Sequence, residues 1–320
     1  MTTLTIPVWL DCDPGNDDVF AILMAAYHPR FQLIAISTVH GNAPIENTTH
    51  NALYTLDVIH KNVPVYQGAA KPLVNPLKFA PEIHGVLGLG GVNIPVETTH
   101  HKLTDKLYLQ AMHDAIEAHP GELCFAVTGT MTNLAQLLQA YPGIEQKIGY
   151  VAIMGGGVHR GNATKYAEFN FYADPHAANF CLQKLGSKAI IAPLDLTHQC
   201  NALAEVRERM VGDHTLIREW FYNVVMFYNE LYIKNHGITA GPPVHDPVAL
   251  YCLLPVIDND FDTYGYKADR AKCLVTESGE HSGQLVMDDD ANGSYIGTTI
   301  DAAKFWGELL DCLDRAEAAA

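Results

Sequence analysis

Residues 8–18 read Val-Trp-Leu-Asp-Cys-Asp-Pro-Gly-Asn-Asp-Asp, so four carboxylates, Asp11, Asp13, Asp17 and Asp18, crowd a Gly/Pro turn directly after an apolar run. At neutral pH such a cluster repels itself unless a proton or a cation relieves it. A dense set of oxygen donors suits a hard divalent ion. The EF-hand spacing fails, because counting from Asp11 the fifth position is Gly15 and the twelfth is Ile22. Helix capping accounts for one or two of these acids, not four.

Two distant segments carry matching chemistry. His245-Asp246-Pro247 follows Gly241-Pro242-Pro243. Asp246 can cap a helix opened by Pro247, or it can close a metal shell begun by the first cluster, leaving His245 to face a substrate. An imidazole with an ordinary pKa near ~6.5 is a natural general acid. Glu168-Phe169-Asn170 places a carboxylate and an amide two residues apart; in an extended segment both project from one side and can grip adjacent hydroxyls. The run Asp288-Asp289-Asp290 ends its EF-like spacing at Thr299 rather than Glu, and reads as a charged hairpin turn.

Short apolar runs alternating with longer amphipathic segments must position these groups. Strands are expected at Thr5–Leu10, Phe31–Val39, Val63–Tyr66, Leu123–Thr128, Tyr150–Met154 and Ala189–Ala192. Helices are expected at Asp17–His28, Pro44–His60, Thr104–His119, Thr132–Ala140, Asp174–Leu185, across Leu203–His236, at Asp246–Leu253 and at Ile300–Ala319. Residues 71–99 read as a long Gly/Pro-rich loop able to act as a lid, and 260–300 as extended, hairpin-rich structure. The alternation predicts an α/β fold, an open and mostly parallel sheet with helices on both faces, in a single domain over residues 1–320. Ligands of such sheets bind past the carboxyl ends of the strands. Asp11–Asp18, His40-Gly41-Asn42, Thr128–Asn133 and Met154–Gly157 all fall on that one edge.

The bulk composition narrows the field. The chain has 320 residues, 48% of them hydrophobic, enough for a large core. A net charge of −16 without a basic cluster argues against nucleic acid or an anionic membrane as partner. Seven scattered Cys with no C-x-x-C pair read as small buried apolar residues in a reducing compartment. No secretory signal or bilayer-length apolar run is present, so a cytoplasmic location is expected.

Taken in order along the chain, Asp11-Cys-Asp-Pro-Gly-Asn-Asp-Asp18, Met154-Gly-Gly-Gly157, Glu168-Phe-Asn170 and His245-Asp246-Pro247 resemble the inosine–uridine-preferring nucleoside hydrolases. The resemblance implies hydrolysis of the N-glycosidic bond of a ribonucleoside to free base and ribose by a Ca²⁺-bound water. It implies Asp13, Asp18, Asp246 and the Thr132 carbonyl as Ca²⁺ ligands, with Asp13 also the general base. Asp17, Asn42, Glu168 and Asn170 would hold the ribose hydroxyls, and Met154 and Asn162 would line the same pocket. His245 would protonate the leaving base, His84 would lie near the base, and Tyr228 or Tyr232 would close over it. A homodimer or homotetramer is the implied assembly. Purine and pyrimidine preference are both left open.

Two other readings compete. A strand followed by Asp-x-Asp also opens Mg²⁺-dependent phosphatases, with Asp11 as nucleophile; that leaves Asp17 and Asp18 unexplained. A non-catalytic calcium- and nucleoside-binding protein would use the same residues and release no base.

Overall fold

A computed structural model describes residues 5–236 and 239–320. Nine strands form one sheet: β1 (Ile6–Cys12), β2 (Phe31–Thr38), β3 (Val65–Gln67), β4 (Cys124–Val127), β5 (Val151–Met154), β6 (Ala189–Ala192), β7 (Tyr266–Val275), β8 (Leu285–Asp289) and β9 (Ser294–Ile300). The order across the sheet is β3-β2-β1-β4-β5-β6-β9-β7-β8. The first seven in that order run parallel, and β7 pairs antiparallel with both β9 and β8.

The central strands are apolar at nearly every position because helices cover both faces. In β1, Ile6, Val8, Leu10 and Cys12 join one buried cluster while Trp9 joins the other. In β4, Cys124 and Ala126 point to the first and Phe125 and Val127 to the second. The alternation that divides a solvated strand into wet and dry faces here divides two dry layers. The first layer holds the helix Asp18–Tyr27, whose residues 18–25 are all buried, and the helix Asp246–Asp258, buried from Asp246 through Val256. All seven cysteines are buried and free. Among the described residues no helix is long and apolar enough to cross a membrane.

Several expectations change. The segment Leu203–His236 is two helices, Ala204–Val211 and Leu216–His236. The helix after His245 runs on to Asp258 despite Pro255, because it is buried on all sides and packing outweighs one missing N–H donor. Glu168 and Asn170 do not share an extended segment: Glu168 caps the short helix Phe169–Ala173, and Asn170 lies within it. The acidic run is not a hairpin turn. β8 pairs with residues 271–275 on one edge of β7, and β9 pairs with residues 266–271 on the other. The turn at 290–293 carries the chain across β7 between them, and the hairpin is β7–β8.

Candidate active site

The carboxyl ends of β1, β2, β4 and β5 open onto a cavity of about 170 Å³. Its wall includes Asp17, Asn42, His84, Thr128, Met154, Asn162, Glu168, Asn170, Tyr228, Tyr232, His245 and Asp246. Asp13 and Asp18 are fully buried against this floor.

The acidic floor is built by two helix starts. Asp18 begins the helix Asp18–Tyr27 and Asp246 begins Asp246–Asp258, so two positive helix ends converge on one place. One carboxylate oxygen from each of Asp17, Asp18 and Asp246 lies within 4.8 Å of the others. Asp18 is held by the Gly15 N–H (2.9 Å), the Thr128 hydroxyl (2.9 Å) and the Asn42 amide (3.2 Å). Asp13 Oδ2 accepts the Asn42 backbone N–H at 2.7 Å, while Asp13 Oδ1 and Asp17 Oδ1 are buried with no hydrogen-bond partner. Two glycines make room for the Asp13 carboxylate: a Cβ on Gly41 would stand 1.9 Å from its Oδ2, and one on Gly129 2.7 Å from its Oδ1.

Burial drives all these acids upward in pKa. Asp17 is pushed to about 7 by desolvation and then by the Asp18 charge. Asp13 and Asp246 are raised well above the carboxylate range, by desolvation first and neighbouring aspartates second. A site with unpaired acidic oxygens and, among the described residues, no lysine or arginine lining it fits a divalent cation.

A second set of polar groups comes from the end of β5 and the helix that follows. The Glu168 carboxylate accepts from Asn170 N (2.7 Å), Phe171 N (3.1 Å) and Gly156 N (2.9 Å), which fixes it against the Gly155–Gly157 turn. Burial raises it to about 7. The Asn170 amide donates to the Thr128 carbonyl (2.8 Å) and to the Met154 carbonyl (3.2 Å). Asn162 Oδ1 accepts from Phe169 N at 2.8 Å.

The opposite wall is aromatic. The Tyr228 hydroxyl donates to Tyr232 (3.2 Å), and the Tyr232 hydroxyl meets His245 Nε2 (2.8 Å). His245 Nδ1 meets the Thr197 hydroxyl (2.7 Å), and the His245 N–H reaches Asp17 at 3.4 Å. His84 stacks on Tyr228 with centroids 5.5 Å apart, and its Nδ1 accepts from Asn16 N at 3.1 Å. Burial lowers the His84 pKa to about 3, so the ring is neutral and carries its proton on Nε2.

Of the expected metal ligands, Asp13, Asp18 and Thr132 are not on the cavity wall; Asp13 and Asp18 bond to the lining residues Asn42 and Thr128, whereas the Thr132 hydroxyl donates to Asp174 (2.6 Å) and pairs with His40 (3.0 Å). Thr128, four residues earlier at the end of β4, meets Asp18 through its hydroxyl and Asn170 through its carbonyl. Three threonines alternate at 128, 130 and 132, and spacing alone does not tell which one faces the cavity; the strand end does. Asp11 is also outside the cavity wall. It is fully buried, with Oδ1 accepting from Ser37 (2.5 Å) and Asn133 (2.7 Å), which ties it to β2 and the helix Thr132–Ala140 and not to a residue of the cavity wall.

The sequence pattern described as "Inosine-uridine preferring nucleoside hydrolase" matches residues 8–307. A uridine nucleosidase of Saccharomyces cerevisiae is 38% identical over 99% of this chain and 98% of its own length. An inosine-uridine preferring nucleoside hydrolase of Leishmania major is 35% identical over 96% of each chain. The solved structure of a purine-preferring ribonucleoside hydrolase from Gardnerella vaginalis superposes with a TM-score of 0.88 at 25% identity, covering 98% of this chain and all of that one. The chain belongs to the inosine-uridine preferring nucleoside hydrolase family.

Proposed function

We propose that this pocket hydrolyses the N-glycosidic bond of ribonucleosides of the uridine and inosine type, giving free base and ribose. The observation that carries the reading is one cavity with two chemically distinct walls: acids and amides on one side, a His–Tyr–Tyr chain on the other.

Asp18 and Asp246, whose carboxylates converge with that of Asp17, would hold a calcium ion together with Asp13, whose Oδ1 is unpartnered among the described residues, and a backbone carbonyl from the turn after β4; Thr128, which lines the cavity, suits that role better than Thr132, which does not. A bound calcium ion supplies Lewis acidity and anchors ribose hydroxyls. The unpartnered Asp13 Oδ1 accepts a proton from the attacking water. Asp17, Asn42, Glu168 and Asn170 orient the ribose, and the surrounding carboxylates stabilise the positive charge that grows on the sugar as the bond to the base stretches. On the aromatic wall, His245 Nδ1 pairs with the Thr197 hydroxyl and Nε2 with the Tyr232 hydroxyl, so an imidazolium at His245 and the two tyrosine hydroxyls, each turned to pass its proton outward, would form one line to the base. His84 and Tyr228 offer a stacking surface for it.

Incubation with uridine and with inosine tests this. Release of free base together with reducing sugar is expected; binding without release supports the non-catalytic alternative and overturns the proposal. A cytoplasmic enzyme of two or four copies belongs to the same reading, and its mass in solution checks the assembly.

A further inference from the structure

The loop at residues 84–91 touches the site with few side chains to hold it: four of the eight residues are Gly, Val86 and Leu87 are 82% and 55% exposed, and Leu89 is its buried apolar anchor. Two buried asparagines hold it. Asn16, 1% exposed between Gly15 and Asp17, donates its amide N–H₂ to the Gly90 carbonyl (3.0 Å) and to the Val224 carbonyl (3.1 Å). Its Oδ1 accepts from Gly90 N at 3.4 Å, and its backbone N–H donates to His84 Nδ1. Asn51, also 1% exposed, sits on the helix Ile45–Val58 and donates to Pro14 O (2.9 Å) and Leu87 O (3.0 Å).

We propose that Asn16 and Asn51 are positioning residues, a pair of amide staples that seat the 84–91 loop and the helix Leu216–His236 on the Asp-rich turn and so set the base-side wall of the pocket. This rests on the reading of that pocket as a nucleoside site.

The geometry makes Asn16 a three-way junction. A single side chain bridges the loop at Gly90 and the helix at Val224, while the flanking Asp17 and Asp18 belong to the acidic floor. Val224 lies one helical turn before Tyr228, and His84 stacks on Tyr228, so both aromatic groups that face the base hang from this junction. Loop and helix are also in direct contact: a Cβ on Gly90 would stand 2.0 Å from the Phe227 ring, so only glycine permits the seat. The Val224 carbonyl already takes part in the helix, and the Asn16 amide adds a second donor to it while bonding the partly buried Gly90 carbonyl, so one primary amide ties the loop to the helix. Replacing it with a methyl group removes both bonds and lets loop and helix part.

The staples act on the base, not on the ribose or the metal, and that separates them from a merely structural role. Asn16→Ala and Asn51→Ala are compared with the wild type on inosine, uridine and 4-nitrophenyl riboside, whose leaving group needs no proton. The expected result is a loss of kcat/KM on both nucleosides at least about tenfold larger than on the nitrophenyl riboside. Equal losses on all substrates, or none, overturn the inference. Gly90→Ala approaches the same junction from the loop and is expected to reproduce the pattern, which covers the case in which an Asn variant does not fold. Amide hydrogen exchange of calcium-loaded protein gives a readout independent of activity. Faster exchange confined to residues 84–91 and 220–232 is expected in Asn16→Ala, and unchanged exchange there overturns the staple. A wild type that releases no sugar overturns the proposed function instead, and the exchange measurement still decides the staple.

Discussion

The Tyr232 hydroxyl lies 2.8 Å from His245 Nε2, and Tyr228 donates to that same hydroxyl at 3.2 Å. In the proposed reading, therefore, His245 would not act on the base alone. It stands at the inner end of a hydroxyl chain whose outer members are both buried and both line the cavity. Loss of His245 should lower turnover of inosine by on the order of 10² or more and leave 4-nitrophenyl riboside nearly unaffected. Tyr232→Phe should do the same to a smaller degree. Rates on the two substrates, measured side by side, check this; equal losses would remove the chain from proton delivery.

The ribose side makes a sharper demand. In the proposed reading a sugar hydroxyl would bind against Asp17, whose Oδ1 is buried without a partner among the described residues, and against Glu168 and Asn170 beside it. A missing hydroxyl leaves one of them unpaired, so 2′-deoxyuridine and 3′-deoxyuridine should each lose a factor on the order of 10³ in kcat/KM against uridine. A kinetic panel of the three nucleosides is the check, and comparable rates would contradict the assigned ribose contacts.

The two threonines of the β4 turn should separate calcium binding from stability. Thr128→Val removes the hydroxyl that holds Asp18, and calcium affinity should fall by on the order of tenfold. Thr132→Val removes a bond to Asp174 instead, and should lower the melting temperature with calcium affinity kept. Calcium titration and thermal melts of both variants give the answer; a reversed pattern would restore Thr132 to the metal site.

Metal-free protein should become less stable as pH rises. Asp17 and Glu168 have folded-state pKa values of about 7, above the usual carboxylate value, with burial the leading cause in both. Between about pH 4 and 7 the folded chain keeps protons that the unfolded chain has lost, so stability falls with increasing pH through that window. In chelator the melting temperature should drop by on the order of 5 °C from pH 5 to pH 8, and calcium should abolish the drop. Melts at several pH values with and without calcium test this, and a metal-free melting temperature that rises with pH would contradict it.

The parallel half of the sheet was readable because its strands are short apolar runs buried on both faces, and those at the site end in Gly-containing turns. Ala189–Ala192 emerges with the expected bounds for the first reason, and the helix Thr132–Ala140 does so from its own apolar period. The acidic floor was readable because four carboxylates in eight residues leave few alternatives. What escaped depends on tertiary context. Glu168 caps a helix of five residues, too short for a periodic signal. The side-switch between β8 and β9 is fixed by pairing with β7, not by the turn sequence. Nothing local marks Asn16, since its partners Gly90 and Val224 lie 74 and 208 positions away.

The most direct measurement follows calcium occupancy and uridine hydrolysis together in protein first stripped with chelator, for the wild type and for Asp13→Asn. Turnover should rise in step with one calcium bound per chain in the wild type, and Asp13→Asn should stay slower by about 10³ or more at any calcium concentration. Full turnover by the stripped wild type, or near-normal turnover by Asp13→Asn, would contradict the account.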